Sequence, residues 1–128
     1  MEYSKSREEQ LGFEDIDQLT MFADYRVPQV MAHLGVLHYS HELTAEFAAR
    51  ELWENGCESE VVLRAFSIHG CELIAAEAQR LMNDGDGAAG HGANAVDVDI
   101  FLWTLRRQKA KEIEAAGVPF HRVRCIYY

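Results

Sequence analysis

The chain has 128 residues, enough for one hydrophobic core and not for two. An apolar share of 48% is ordinary for a globular protein and argues against wholesale disorder. With 21 acidic against 12 basic residues the net charge is −9; such a surface repels a phosphate polymer, which disfavours broad DNA or RNA binding but leaves room for one small anion held by a few local bases.

Residues 1–12, MEYSKSREEQLG, are polar and read as a lead-in to a single helical domain over 13–128. A short helical pattern runs from Asp15 towards Tyr25. Within it, LTMFADYRVPQ sets one acid, Asp24, among Phe22, Tyr25 and Arg26. Pro28 suits the first turn of a following helix, where a missing N–H costs nothing, and it pushes Val27 away from helical angles. Asp24 is therefore expected at a helix junction.

The next helix is expected over 42–55, with Leu43, Phe47 and Leu52 near one face and Gly56 stopping it in a left-handed turn. Ser59 is a cap for a long helix reaching residue 83, whose stripe reads Val62, Phe66, His69, Leu73. Residues 84–95 are glycine-rich without an apolar period. They follow a helix and lack a Lys-Ser/Thr ending, so they read as a loop and not as a phosphate cradle. Asn94 with Asp97 three residues on forms a capping-box pattern for the last helix. Val98, Phe101, Leu102 and Leu105 are its inward stripe, and Gly117 and Pro119 end it. The closing FHRVRCIYY alternates and is aromatic, which predicts an extended tail packed on the helices.

Several residues could carry chemistry. Asp24 reads plainly as a junction acid, paired with Arg26 or capping a helix. Its sharper reading is a carboxylate shielded by aromatics, where a fixed negative charge acts strongly on a positive transition state such as an oxocarbenium-like sugar. Asp99 lies one helical turn before Trp103, with Arg106 a further turn on. The plain reading is an Asp99–Arg106 surface pair; the functional one is base recognition, with the carboxylate accepting two adjacent N–H donors while the indole stacks.

His38 and His41 are three apart without a second ligand pair, so a surface pair is the simpler reading and no metal is assigned. His69 reads as a core histidine, and Cys57 and Cys71 as small core fillers. The three cysteines form no CxxC pair, and no leader pattern or apolar run of about 20 residues is visible. A cytosolic location with reduced thiols is the expectation. Arg122 and Arg124 could hold a phosphate or pin the tail to acidic helices.

Taken in order, LTMFADYRVPQ, LRAFSIHGCE, VDVDIFLW and FHRVRCIYY resemble the queuosine salvage proteins, N-glycosidases that release queuine from queuosine 5′-phosphate. The first and last blocks are specific, and the resemblance runs from about Phe13 onward. It implies an all-α fold similar to part of some DNA glycosylases, with no cofactor. Asp24 matches the catalytic carboxylate, as nucleophile or as stabiliser of the sugar cation. Phe22 matches an aromatic lining the site, Asp99 matches the carboxylate that binds the base, and Trp103 lies one turn on in the same pocket. Queuine is a 7-deazaguanine, so a ring nitrogen that other purine glycosidases protonate is a carbon, and the sugar cation must carry more of the catalytic burden. The family also has a long helical region ahead of the FADYR block. The chain thus resembles the C-terminal portion, which implies a complementary N-terminal partner, or self-association through a bare apolar patch. The implied ligand is a small modified nucleotide, with no nucleic-acid polymer and no membrane. The alternative is a non-catalytic helical binding module.

Overall fold

Three helices meet around one apolar core and carry the segment that holds Asp24. The computed structural model describes residues 13–85 and 92–128; the polar lead-in and residues 86–91 of the glycine-rich loop lie outside it. The described residues are all-helical: α1 Arg26–His33, α2 His41–Ala49, α3 Glu58–Asp84, α4 Ala95–Gln108 and α5 Ala110–Ala115, preceded by a 3₁₀ turn at Ile16–Gln18. Helix α1 packs on α4 and α3, and α4 packs on α3. Val27, Val30, Met31, Cys71, Leu102 and Ile113 are almost fully buried where they meet.

Helix α1 starts two residues before Pro28, so Val27 is helical and not an extended joint. The reason is local. Proline in the first turn forfeits no hydrogen bond, and the amides ahead of it are satisfied by the Asp24 side chain. The helical pattern read from Asp15 towards Tyr25 holds only for one 3₁₀ turn. Beyond it, burial alternates: Met21 and Ala23 point inward and Phe22 outward, the period of an extended segment.

Helix α2 is shorter than expected. Ser40 caps it through the Leu43 N–H at 3.1 Å, and Arg50 turns extended at its end. That turn lets Trp53 pair with Val123 in an isolated parallel bridge, its N–H donating to the Arg122 carbonyl at 2.8 Å. Leu52 falls outside the helix and is exposed. Gly56 does adopt a left-handed angle, φ 80°, but in the turn before α3 and not at the end of α2. Cys57, not Ser59, is the residue ahead of α3, and the Ser59 hydroxyl donates to Glu46.

The capping box of α4 forms as the spacing predicts: Asn94 accepts the Asp97 N–H at 2.9 Å and Asp97 accepts the Asn94 N–H at 3.2 Å. Val98 and Leu102 are buried, but Phe101 is 62% exposed. The helical run breaks at Lys109, and the joint turns Ile113 fully into the core before Gly117, φ 69°, ends α5.

Helix α3 is the largest departure. Its buried face is Leu63, Ser67, Gly70, Cys71 and Ala75. Gly70 lets the helices approach closely here: a Cβ would stand 2.6 Å from the terminal methyl of Met31 in α1, which would have to move aside. The stripe read from the sequence lies on another face: Val62, Phe66 and Leu73 are 43%, 59% and 57% exposed, and His69 is exposed with them. His69 is thus not a core histidine among the described residues. The apolar period is real, but nothing described covers it.

Candidate active site

Asp24 sits half-buried at the start of α1. Its Oδ1 accepts the Arg26 N–H at 3.0 Å and the Val27 N–H at 2.8 Å, so it caps the helix from one residue ahead of the formal cap, Tyr25. Among the described residues no donor reaches Oδ2. Burial raises the carboxyl above its ordinary 3.8; the two amides pull it down, the Asp99 charge pushes it up, the Arg26 charge lowers it, and burial wins. Of the two plain roles, the cap forms and the pair with Arg26 does not. The Arg26 guanidinium instead lies 4.3 Å from the Phe120 ring centre and 5.2 Å from that of Tyr25.

Asp99 comes to the same place from α4. Its Oδ2 accepts the Phe22 N–H at 3.0 Å. The Phe22 carbonyl in turn accepts the Asp24 N–H at 2.8 Å, and Arg64 of α3 donates Nε to the Ala23 carbonyl at 2.9 Å. The segment carrying Asp24 is therefore fixed from two helices. The Asp99–Arg106 pair does not form. Arg106 is buried, donating Nε to Gln29 at 3.1 Å, with Glu114 at 3.5 Å.

The aromatics divide. Tyr25, partly buried, joins a file of rings, 5.7 Å from Phe120 and 6.4 Å from Tyr128. Phe22 and Trp103 stay open, 57% and 44% exposed, with the Arg107 guanidinium 4.8 Å from the indole. The structure thus joins Phe22, Asp24 and Asp99 by hydrogen bonds and sets Trp103 one turn along α4.

A polar core beneath the tail was not visible in the sequence. Glu60, almost fully buried, accepts the Tyr128 hydroxyl and the Gly56 N–H, with Arg64 at 3.7 Å. The Tyr128 oxygen lies 3.3 Å from His121 Nε2, so with that hydroxyl's proton given to Glu60, His121 carries its own proton on Nε2. Burial pushes His121 down to about 4 and keeps it neutral. The Glu60–Arg64 spacing could have suggested an ion pair, but nothing local points to Tyr128, 68 residues away. Beside this core an open cleft of about 380 Å³ is lined by Tyr25, Arg26, Phe120, Arg122 and Tyr128. Arg122 also pairs with the exposed Glu51 at 3.5 Å, a residue beyond the end of α2 and not on a helix.

His38 and His41 are exposed, and among the described residues no three His, Cys, Asp or Glu gather to hold a metal ion. Cys71 is a buried filler, its thiol pushed up to about 12 by burial, whereas Cys57 is only partly covered. No described helix is long and apolar enough to cross a membrane.

Comparison with known proteins places the whole described region in one family. The family model described as queuosine salvage protein matches residues 3–128. A Mus musculus protein named queuosine 5′-phosphate N-glycosylase/hydrolase is 43% identical over 116 residues, covering 91% of this chain and 33% of the relative. Proteins of the same name from Bos taurus and Sphaerobacter thermophilus are each 39% identical over 117 residues, covering 91% of this chain and 33% and 32% of theirs. The chain spans about a third of the length of these curated relatives. With the FADYR segment, the α4 carboxylate and the aromatic tail all inside the matched region, the chain belongs to the queuosine salvage protein family.

Proposed function

We propose that this chain supplies the catalytic carboxylate of an N-glycosidase that hydrolyses queuosine 5′-phosphate and releases queuine. Asp24 is that carboxylate. The observation that carries the reading is its geometry: Oδ1 is tied to two amides, which fixes the group, while Oδ2 has no donor among the described residues, and burial makes its charge effective. Asp24 faces the anomeric carbon. As the bond from that carbon to the base nitrogen breaks, its electron pair stays with the base and positive charge grows on the sugar, which the carboxylate offsets. Water supplies oxygen to the sugar, and its proton ends on the base nitrogen.

Asp99 binds the base through the edge of its carboxylate not used by Phe22, and Trp103 and Phe22 line the pocket. The ligand is a small modified nucleotide. The acidic balance disfavours a nucleic-acid polymer, and the free thiols suit the cytosol. The openness of Phe22 and Trp103 favours a second reading for the isolated chain, a nucleotide-binding module that does not turn over.

The test is queuine release from queuosine 5′-phosphate by this chain together with the remaining portion of the family fold. Release that disappears in Asp24→Asn supports the reading. Undiminished release in that variant removes Asp24 from the mechanism, and ligand binding without any release favours the module.

A further inference from the structure

We infer that the outer face of α3 is a docking groove for an amphipathic helix from the part of the family fold that this chain does not span. This rests on family membership and extends beyond the glycosidase reading. Helix α3 is about 40 Å long at its 27 residues. It is apolar on two faces. One face, through Leu63, Gly70, Cys71 and Ala75, packs on α1 and α4. The other repeats at helical spacing through Val62, Phe66, Leu73 and Leu81, all at least 43% exposed. A helix apolar on two faces is typical of the middle of a fold rather than its surface.

Two grooves run along this bare face. One, of about 580 Å³, lies between α2 and the first half of α3, and the other, of about 460 Å³, follows α3 towards Leu81. They share Val36, Leu37 and Phe66, so Phe66 stands at their seam. Glu42, Glu46 and Glu58 border the first groove and Glu77 the second. Glu46 and Glu77 are already paired with Arg50 and Arg80, which leaves Glu42 and Glu58 to favour a lysine or arginine beside the occupant's apolar stripe at the first groove. The length of the relatives suggests its source: about two thirds of their length has no counterpart here, and an apolar face repeating at helical period is what such a region would bury.

Because the side chains concerned are exposed, changing them tests docking without unfolding this chain. This chain and the remaining portion of one relative are co-expressed as separate polypeptides, and the complex is measured by sedimentation and titration. A 1:1 complex is expected, weakened roughly 10- to 100-fold by Phe66→Glu with Leu73→Glu. Lys111→Glu on α5 is expected to leave it unchanged, and circular dichroism should match in all three chains. No complex, or one indifferent to the groove changes, overturns the inference. So does equal weakening by Lys111→Glu. A homodimer of this chain that the same groove changes dissolve would assign the face to a second copy. The readout is association alone, so its failure leaves the Asp24 reading to its own assay.

Discussion

The Asp99 carboxylate accepts the backbone N–H of Phe22 at 3.0 Å, joining α4 to the segment ahead of α1 across 77 residues of sequence. A carboxylate used this way both holds the chain that carries Asp24 and places a second negative charge beside it. These two jobs separate under mutation. Asp99→Ala loses the clamp, and a stability loss of about 1 kcal/mol is expected. Faster hydrogen exchange at the Phe22 amide is the local measurement. No change at that amide would show that the clamp does not hold the segment.

Asp99→Asn keeps an oxygen to accept the same N–H but removes the charge. Asp99 raises the Asp24 carboxyl, so the variant should bring it down. A carbon-13 titration of the Asp24 carboxyl should move to lower pH. If the proposed activity is reconstituted, its acid limb should move the same way. A shift upward contradicts the assigned proximity of the two groups.

Asp24 itself divides a structural role from a chemical one. Asparagine caps a helix about as well as aspartate, whereas alanine does not, at a cost of roughly 1 kcal/mol. A carboxyl raised in the folded state favours folding in its protonated form, and that contribution is lost as pH rises through the folded value. At neutral pH the ionised, half-buried acid therefore works against folding. Asp24→Asn should be at least as stable as the unsubstituted chain at pH 7, and Asp24→Ala less stable than Asp24→Asn. Urea unfolding of the three chains at pH 7 gives the order.

His121 sets a pH dependence of opposite origin. Its folded value of about 4 lies below the ordinary 6.5, so between these the unfolded chain takes up a proton that the folded chain refuses. Stability is full above about 6.5 and falls as pH drops towards 4, by on the order of 3 kcal/mol at most. His121→Phe should flatten that slope in denaturant unfolding at pH 7 and pH 5. An unchanged slope would locate the effect elsewhere.

Tyr128→Phe deletes the hydroxyl that donates to buried Glu60. Leaving a buried carboxylate oxygen short of a donor costs about 1–3 kcal/mol. Calorimetry should show a lower Tm, and Glu60→Gln placed on top of Tyr128→Phe should recover part of the loss. Failure of that second change to recover anything would argue against Glu60 as the source.

The local signals in the sequence fared better than the long-range ones. The Asn94–Asp97 box, Pro28 in a first turn and Gly117 at a helix end are decided within a few residues, and each forms as its spacing implies. Asp24 was legible as a junction acid for the same reason. What spacing cannot encode is the partner at a distance: the Phe22–Asp99 clamp, the Arg64 bond to Ala23, and Glu60 waiting for Tyr128. Phe101 and Phe66 mark a different limit. Periodicity shows that a face is apolar but not which body will cover it, and on α3 the more apolar-looking stripe was the uncovered one.

Cys71, wholly enclosed between α3 and the start of α4, bonds weakly through its Sγ to the Ala95 carbonyl at 3.4 Å. Its thiol stays protonated at any physiological pH. Once Cys57 and Cys125 have been blocked by a fast alkylating reagent, this remaining sulfur reacts only when α3 and α4 come apart. The protein thus carries its own stopwatch for the opening of the helix that bears Asp99.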